Sequence, residues 1–468
     1  MVESLRRKIL KYKTDILNLE WETDSRDTNI TDPILVSLED RFGYNVKTDS
    51  IWYAFYKILK YRPKVLLMSN EVGAIENYYI CRFAYSIGIK TIVLISEGLN
   101  YQCETEDAQK QLETEMLWGH NTDHKRIWDM KLLWSESTRE TFYKYIDSAK
   151  DLNLKVSGAT GFDSYKLLNM NNTRIIEQFN KSKYKKVILL VGFAFDLYPL
   201  YDLETLHMDK ETVDWLYNQR FKVRDIYKQL IEENPDTLFI LKHHPGSKNL
   251  DDTEFSEIMN KYDNTITIHK EVGIRNLLGL SEIIIAYDST VCLEAWMLRK
   301  PSLLINPEEG TFPRSWNYLG SPILRTATEL SNCIREFYEN GIIQPFEDLK
   351  QTRIDMIRKQ IQNDDGFNYL RAAKLIDDEI KKNNKHPVDK KAKKIFFKRI
   401  IRETYEFLIE KQPIAIIKKA TRASLRERTS RYKKDNRISS LNNYRMGIET
   451  HEKNNESKVR EILNTYNA

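Results

Sequence analysis

A short apolar strand followed by two hydroxyl residues is the most informative stretch of the sequence. Residues Ile283–Ala286 are apolar, Ser289 and Thr290 follow, and an amphipathic run typical of a helix then begins. At the carboxyl end of a parallel strand, backbone N–H groups and the positive end of the next helix dipole face the binding crevice. Hydroxyls at an N-cap can add hydrogen bonds to a phosphate. The stretch therefore indicates a phosphate site, although an ordinary capped helix shows the same pattern.

A second apolar strand, Thr237–Leu241, also ends in groups that can bind an anion. The residues that follow it are Lys242, His243, His244, Pro245 and Gly246, of which the last two favour a turn. A helix and a short strand separate this stretch from the first, so both strand ends are expected at the same edge of one parallel sheet. The alternative is a capped strand end with a solvated histidine pair.

Two carboxylates at predicted strand ends are candidates for a role in chemistry. Glu97 follows the apolar run Thr91–Ile95 and precedes Gly98, where a ligand can approach the backbone closely. Glu71 ends the preceding strand in the same way and competes for the role. A carboxylate placed there would face His244 and Ser289 across the expected cleft. Glu97 could instead be a solvated acid beside a helix.

The residues that most resemble metal ligands lie in a loop. His120, Asp123 and His124 have suitable side chains, but Gly119 and Asn121 indicate a loop. Without a helix, the four-residue spacing of the two histidines does not place them on one face. We therefore expect no metal site. The sequence also contains neither Gly-x-Gly-x-x-Gly nor a Walker loop, so it indicates neither a hydride cofactor nor a P-loop nucleotide.

The elements that must position these residues alternate between strands and helices. Within the first 60 residues the pattern predicts a strand at Asp15–Trp21 and helices at Asp32–Phe42 and Ser50–Tyr61. From residue 64 onward strands and helices alternate regularly, which predicts βαβ units and parallel sheets. The expected fold class is α/β, with two Rossmann-like domains that face a cleft.

Composition changes along the chain suggest the domain boundaries. We expect an N-terminal domain at residues 1–170, a linker rich in Asn and Lys at 171–185, and a C-terminal domain at 186–384. Glu97 would then lie in the first domain and His244, Ser289 and Thr290 in the second. Residues 385–468 form a basic helical tail in this division.

The overall composition indicates a soluble or peripheral protein made without a signal peptide. No apolar run approaches the ~20 residues that cross a bilayer. The four cysteines are widely spaced and match neither a zinc pattern nor a disulfide framework, which indicates reduced thiols and a cytoplasmic location.

The charge distribution separates the tail from the rest of the chain. Residues 385–468 contain 22 Lys and Arg against 10 Asp and Glu, an excess of 12. Because the whole chain has a net charge of +5, the first 384 residues carry −7. Two stretches of helical periodicity, Lys394–Glu410 and Ile414–Arg428, combine these cations with apolar residues. Such helices are suited to lie on an anionic membrane surface, and packing on the body or on a second subunit is an equal alternative. No motif accompanies the charge to indicate nucleic acid.

The ordered motifs resemble those of a known enzyme group. Ser96-Glu97-Gly98, His244-Pro245 and Ser289-Thr290 look like the three short motifs of bacterial sialyltransferases and polysialyltransferases of the GT-B type. Similar His-Pro and Ser-rich motifs occur in capsule Kdo transferases and in CDP-glycerol glycerophosphotransferases. The segment from Val156 to Tyr165, with Gly158, Phe162 and Asp163, is also similar to the inter-domain segment of such surface-carbohydrate proteins. The resemblance covers roughly residues 60–310.

The resemblance implies a role for each matched residue. Glu97 matches the base that deprotonates the acceptor hydroxyl, although Ser96 stands where the family has a second acid. His244 matches the histidine that binds the donor phosphate and protonates the leaving group. Ser289 and Thr290 match the hydroxyls that bind the phosphate. Lys242, Pro245 and Gly246 complete the expected nucleotide site, and Glu71 and Gly98 the acceptor side.

The expected function is that of a metal-independent GT-B glycosyltransferase of bacterial cell-surface or capsule polysaccharide synthesis. The donor would be a CMP-activated nonulosonic or Kdo-like sugar, and the acceptor a glycan or lipid-linked glycan. No cofactor is expected besides the nucleotide-sugar. The location would be cytoplasmic, peripheral on the inner face of the membrane. The alternatives are a UDP-GlcNAc 2-epimerase-like enzyme, a CDP-glycerol glycerophosphotransferase, and a non-catalytic scaffold tethered to the membrane.

Overall fold

The computed structural model describes most of the chain. The described residues are 12–21, 26–96, 105–170, 174–200, 209–244, 255–269, 272–308, 319–382, 390–410 and 434–465. They divide into two compact units. The first unit contains the described residues up to Leu168 and from Lys359 onward, and the second contains those between Asn169 and Arg358.

The first unit contains a parallel sheet of six strands in the order β2-β1-β3-β4-β5-β6. Its strands are β1 (Thr14–Glu20), β2 (Val46–Ser50), β3 (Pro63–Met68), β4 (Lys90–Leu94), β5 (Met130–Leu133) and β6 (Leu154–Val156). The helices before the chain leaves the unit are α1 (Arg26–Asp40), α2 (Ala54–Tyr61), α3 (Ile75–Ser86), α4 (Glu106–Trp118), α5 (Glu136–Tyr145) and α6 (Ser164–Leu167).

The second unit contains another parallel sheet of six strands, in the order β12-β11-β10-β7-β8-β9. Its strands are β7 (Lys186–Val191), β8 (Thr237–Lys242), β9 (Thr265–Ile268), β10 (Ile283–Ala286), β11 (Ser302–Ile305) and β12 (Ile323–Leu324). Its helices are α7 (Arg174–Gln178), α8 (Lys210–Glu233), α9 (Ile274–Leu280), α10 (Val291–Met297), α11 (Ala327–Asn340), α12 (Gln344–Glu347) and α13 (Lys350–Ile361), which ends in the first unit.

Among the described residues, four more helices belong to the first unit after the chain returns. They are α14 (Asn368–Lys381), α15 (Lys390–Glu410), α16 (Lys434–Lys453) and α17 (Glu456–Thr465). No helix among the described residues is both long and apolar enough to cross a bilayer.

The central strands of both sheets are buried on both faces, as expected for parallel sheets covered by helices. In the second unit, Ile188–Leu190 and Ile283–Ile285 have no exposed surface. These continuous apolar runs are the signal from which the sequence predicted strands. The α/β fold class with two Rossmann-like units and a helical C-terminal region is therefore confirmed.

The C-terminal boundary differs from the sequence-based expectation. The predicted second domain extended to residue 384, but α14 lies in the core of the first unit. Leu370, Ala373 and Ile376 on α14 are fully buried there beside residues of α1 and the first sheet. The described parts of the predicted tail also belong to the first unit, where Tyr444 of α16 and Ile462 of α17 join the same core. The predicted helix Ile414–Arg428 lies outside the described residues.

Candidate functional site

The second sheet has a topological switch point between β7 and β10. The chain continues from β7 to β8 on one side, whereas β10 pairs with the other side of β7. In open α/β sheets, ligands bind outside the carboxyl ends of the strands at such a point. The carboxyl ends of β7, β8 and β10 therefore form the candidate site.

The two histidines after β8 have different surroundings. His243 is buried, its ring stacks on His269 with centroids 4.4 Å apart, and its Nε2 lies 3.2 Å from the Ser256 hydroxyl. His244 is exposed. Lys242, the last residue of β8, is half-buried and its Nζ donates a hydrogen bond to the His269 carbonyl. His244 is thus the histidine accessible to a ligand, while Pro245 and Gly246 lie outside the described residues.

Gly192, directly after β7, was not singled out in the sequence. Its N–H donates to the Lys242 carbonyl at 2.8 Å. A Cβ at Gly192 would lie 2.9 Å from that carbonyl oxygen and 3.1 Å from the backbone nitrogen of His244. Only glycine therefore allows the Lys242–His244 segment to cross the end of β7 this closely. A glycine immediately after an apolar strand is the signal that could have identified it.

An aromatic cluster supports the same strand ends from within. The rings of Phe193, Phe195 and Tyr287 lie with centroids 4.8 to 5.1 Å apart. Together with His243 they line a small pocket at the ends of β7, β8 and β10. These rings hold the loop after β7 against the loop after β10. The sequence analysis did not predict the cluster, because Tyr287 is about ninety residues from Phe193 and Phe195 in the chain.

The two hydroxyls after β10 are placed differently from each other. The Ser289 Oγ accepts the Val291 N–H at 3.2 Å, so Ser289 stabilises the start of α10. Thr290 has αR backbone geometry, makes no side-chain capping bond, and is exposed. The prediction that both residues follow the strand at the start of a helix agrees with this geometry. The backbone and Ser289 form the turn, and the Thr290 hydroxyl lies at the surface.

The candidate base of the first unit, Glu97, and its neighbour Gly98 lie outside the described residues. The strand end that leads to them is described, and it is held by a polar network. The Asn70 amide donates to the Ser96 hydroxyl at 2.8 Å, and the Asn70 carbonyl accepts from Asn77 at 2.8 Å. Trp21, after β1, donates to Asn77 at 3.0 Å. The ends of β1, β3 and β4 are thereby connected.

Glu71, the competing acid, is part of a buried ion pair. Its Oε1 lies 2.7 Å from Nζ of Lys131, and both side chains are at most 2 % exposed. Lys131 also donates to the Leu117 carbonyl at 2.9 Å. Burial raises the pKa of Glu71, and the Lys131 ammonium opposes the rise. This pairing counts against the predicted acceptor-side role of Glu71.

The loop with His120, Asp123 and His124 shows no metal-ligand arrangement. The His124 ring stacks on Trp118 with centroids 5.5 Å apart. Among the described residues, no group of three or more His, Cys, Asp or Glu side chains could hold a metal ion. The described cysteines, Cys81, Cys292 and Cys333, are buried free thiols.

The Gly158–Tyr165 segment has a structural role within the first unit. Asp163 is fully buried and accepts hydrogen bonds from the Tyr369 N–H at 2.6 Å and the Asn368 amide at 2.9 Å. Gly158 has a φ of +87°, and a Cβ there would collide with Asn368. Burial raises the pKa of Asp163 to about 8. The segment therefore anchors the start of α14.

Comparisons with known proteins show what this fold resembles. A Listeria monocytogenes structure named as a UDP-N-acetylglucosamine 2-epimerase matches with a TM-score of 0.51 at 12 % identity, over 80 % of this chain and 98 % of that one. MnaA of S. aureus with UDP matches with a TM-score of 0.52 at 12 % identity, over 80 % and 99 %. The wall teichoic acid polymerase TagF matches with a TM-score of 0.50 at 14 % identity, over 80 % and 90 %.

These structural similarities establish a GT-B-like fold and, at such low identity, the fold alone. No protein-family model matches the sequence. No curated protein matches it either. The GT-B part of the sequence-based resemblance is therefore supported, and its sialyltransferase or Kdo-transferase part is a matter of proposal.

Proposed function

We propose that this chain is a glycosyltransferase of cell-surface glycan synthesis whose donor nucleotide binds to the second unit. The observation that supports it most is the position of His244 and Thr290 at the ends of β8 and β10, on either side of β7. Neighbouring strands lie about 4.8 Å apart, so the two strand ends are about 10 Å apart. Side chains that extend from the two strand ends could therefore both contact one phosphate group placed between them.

The proposed donor is a CMP-activated nonulosonic or Kdo-like sugar, and the acceptor is a glycan or lipid-linked glycan. His244, Lys242 and the Ser289–Thr290 turn would bind the donor phosphate, and Pro245 and Gly246 would complete the proposed nucleotide site. Charge-assisted hydrogen bonds from such groups stabilise the negative charge that develops on a leaving phosphate. Because a CMP leaving group carries a single phosphate, the proposed transfer uses neither a metal nor another cofactor.

The proposed transfer step uses one base and one acid. The acceptor oxygen forms a bond to the anomeric carbon while the bond from that carbon to the phosphate oxygen breaks. Glu97 takes the acceptor's hydroxyl proton, and His244 in its protonated form donates a proton to the departing phosphate. Gly98 would allow the acceptor to approach the backbone beside Glu97. The assignment of Glu97 stays a proposal based on the sequence motif.

Two alternative activities deserve a place in the same experiment. The fold is shared with MnaA, whose structure contains UDP, and with the teichoic acid polymerase TagF. A UDP-GlcNAc 2-epimerase-like enzyme would prefer UDP, and a CDP-glycerol glycerophosphotransferase would prefer CDP. A non-catalytic scaffold would bind none of these nucleotides.

The test is a thermal-shift series with CMP, CDP, UMP and UDP on the full chain. A ligand at 100 times its Kd adds about 2.7 kcal/mol to the stability of the unit that binds it. The expected result is stabilisation by CMP that His244→Ala abolishes. His120→Ala, an exposed histidine in the first unit, is the matched control and should respond to CMP like the parent.

The nucleotide preference in this series distinguishes the proposed function from its alternatives. Preference for UDP or CDP would transfer the assignment to the epimerase-like or glycerophosphotransferase alternative. CMP binding that survives His244→Ala would show that the site is assigned to the wrong residues. A parent protein that responds to no nucleotide would contradict the proposed function.

A further inference from the structure

One face of α15 is fixed to the first unit by aromatic contacts. Phe396 is 4 % exposed, and its ring centroid lies 5.3 Å from that of Phe55 and 5.5 Å from that of Phe83. One turn from the C-terminal end, the Phe407 ring lies 4.4 Å from that of Tyr56. These contacts with α2 and α3 bury one side of the helix and determine which side faces outward.

Polar contacts fix the rotation of α15 further. Glu403 is buried and accepts the Phe55 N–H, which belongs to the first turn of α2, at 2.9 Å. Arg399 bonds to Glu403 at 3.2 Å and pairs with Glu76 of α3. The Arg399 guanidinium also lies 4.7 Å from the Phe55 ring centroid. The inward face of α15 therefore has partners along its described length.

The outward face carries a row of large apolar side chains. Phe397 is 60 % exposed, Ile401 is 53 % exposed and Tyr405 is 65 % exposed. Because they are four residues apart, they follow one another along a single side of the helix. We call them the outer stripe. Such a row of exposed apolar groups usually marks a surface that contacts something other than water.

Positive charge lies beside the outer stripe. Lys398 and Arg402 are exposed on the same helix, and Arg402 bonds to Glu406 at 3.1 Å. In the sequence, four of the five residues 390–394 are lysines at the beginning of α15. An apolar row flanked by cations complements the interface of a bilayer that contains anionic lipids.

We propose that the outer stripe of α15 binds the first unit to the surface of an anionic lipid bilayer. The helix would lie in the interface plane, with Phe397, Ile401 and Tyr405 among the acyl chains and Lys398 and Arg402 beside the headgroups. The inward face keeps its contacts with α2 and α3, so binding needs no rearrangement of the unit. This proposal goes beyond the nucleotide site and does not depend on it.

The test is co-sedimentation of the full chain with lipid vesicles. The triple variant Phe397→Ser, Ile401→Ser, Tyr405→Ser removes the outer stripe and changes only exposed side chains. Its binding to vesicles of phosphatidylcholine mixed with phosphatidylglycerol should fall about tenfold or more, because three apolar groups no longer leave water. The double variant Ile438→Ser, Met446→Ser on α16 is the matched control, since these apolar residues are also exposed in the first unit.

A charge variant and a second lipid test the electrostatic part. Lys398→Glu with Arg402→Glu should weaken binding to the mixed vesicles, and added salt should weaken binding of the parent. Vesicles of phosphatidylcholine alone should bind the parent less. Circular dichroism of each variant confirms its fold, and if the triple variant fails to fold, the charge variant carries the test.

Three results would overturn the proposal. The first is parent-like vesicle binding by the folded triple variant. The second is an equal loss of binding in the Ile438 and Met446 control. The third is a parent that sediments as a dimer and a triple variant that sediments as a monomer, with no lipid binding by either. That result would make the outer stripe an interface between copies of this chain.

Discussion

His243 and His244 are adjacent in the sequence, but only one of them is accessible. Successive side chains at the end of a strand point in opposite directions, so one histidine side chain points into the core and the other points to the surface. His243 packs on His269 beside Ser256, while His244 is exposed. The sequence shows that a histidine pair follows β8, and the register of the strand decides which member can meet a ligand.

Glu97 is the residue whose substitution should separate chemistry from binding. Glu97→Gln keeps the shape of the side chain and removes its basicity, so the transfer rate should fall about 10²–10⁴-fold. CMP binding, measured by thermal shift, should stay unchanged because the proposed phosphate site is in the second unit. Glu140→Gln, an exposed acid on α5, is the control. Full transfer activity in Glu97→Gln would exclude this residue as the base.

Glu71→Gln should behave differently, because Glu71 is paired with buried Lys131. The change leaves the Lys131 charge buried without its partner and should cost about 3–5 kcal/mol of unfolding free energy. The double variant Glu71→Leu, Lys131→Met should recover much of this loss, since apolar residues of similar volume often replace a buried pair at little cost. Loss of transfer activity in a fully stable Glu71→Gln variant would instead assign the base to Glu71.

Glu113 should make the first unit less stable as the pH rises. Burial raises the pKa of Glu113 to about 7, from an ordinary value of 4.5, and Gln109 is its hydrogen-bond partner at 2.8 Å. The native state then holds this proton more tightly than the unfolded state. The contribution to stability is therefore present below about pH 4.5, is lost between pH 4.5 and 7, and is constant above.

The check is urea denaturation of Glu113→Gln and the parent at pH 4.5 and 8. The difference in unfolding free energy between Glu113→Gln and the parent should change by about 1–3 kcal/mol between pH 4.5 and pH 8. Each unit of pKa shift corresponds to about 1.36 kcal/mol. Glu115→Gln is the matched control, because Glu115 forms the same kind of pair with Gln111 on the exposed side of α4. A parallel pH response in the parent and Glu113→Gln would contradict the prediction.

At the scale of elements, two predictions failed for different reasons. The strand β2 was not predicted, because it is a partly exposed edge strand. Its consecutive polar residues Lys47, Thr48 and Asp49 show no alternation of apolar and polar side chains. Helix α14 was correctly predicted as a helix but assigned to the wrong unit. Its apolar periodicity identifies a helix and not the sheet on which that helix packs, and the anchor that places it, Asp163, is more than two hundred residues away.

Helix α16 contributes a buried cation to the first unit. Arg437 is 2 % exposed and forms a bidentate pair with Glu20 at 2.6 and 2.7 Å, and it also contacts Asp32. Burial raises the pKa of Glu20 to about 7, with Arg437 opposing and Asp32 adding to the rise. The segment predicted as part of a separate tail is thus tied to the end of β1.

Arg437→Met should therefore destabilise the first unit strongly. It leaves two buried carboxyl groups without their cation, and we expect a loss of about 3–5 kcal/mol in urea denaturation. Arg445→Met on the same helix is the matched control, because Arg445 pairs with Asp40 at the surface and should cost about 1 kcal/mol or less. Equal costs for the two variants would show that the buried pair adds nothing beyond an exposed one.

At the scale of the whole molecule, the chain forms two units, and two separate parts of the chain make up the first of them. It leaves the first unit at Leu168 and returns at Lys359, so the first unit is not complete until the residues of the second have been made. Each unit has its own parallel sheet and buried strands. A ligand that binds one unit should therefore stabilise that unit in preference to the other.

Hydrogen exchange can test this separation. Saturating CMP should slow amide exchange at the ends of β7, β8 and β10 and leave β1 and β3 unchanged. His244→Ala should abolish the protection, and Arg437→Met should speed exchange in the first unit without altering the effect of CMP on the second. Protection confined to the first unit would place the nucleotide there and contradict the assignment.

The sequence by itself determined the parts of this protein that contiguous residues encode. Apolar runs such as Ile283–Ala286 identify buried strands, and the alternation of strands with helices identifies two parallel sheets. The same pattern identifies polar residues at strand ends, such as His244 and Thr290. Burial periodicity and turn residues act over a few positions, so they are visible without a structure.

Only the tertiary structure decided which of these residues are available and where the distant segments belong. Glu71 and Glu97 look alike in the sequence, yet Glu71 is paired with Lys131. Arg437 looks like one more cation of a basic tail, yet it is buried beside Glu20. Such pairings join residues tens to hundreds of positions apart, and no local pattern encodes them. The burial that makes them strong exists only once the sheets and helices have packed.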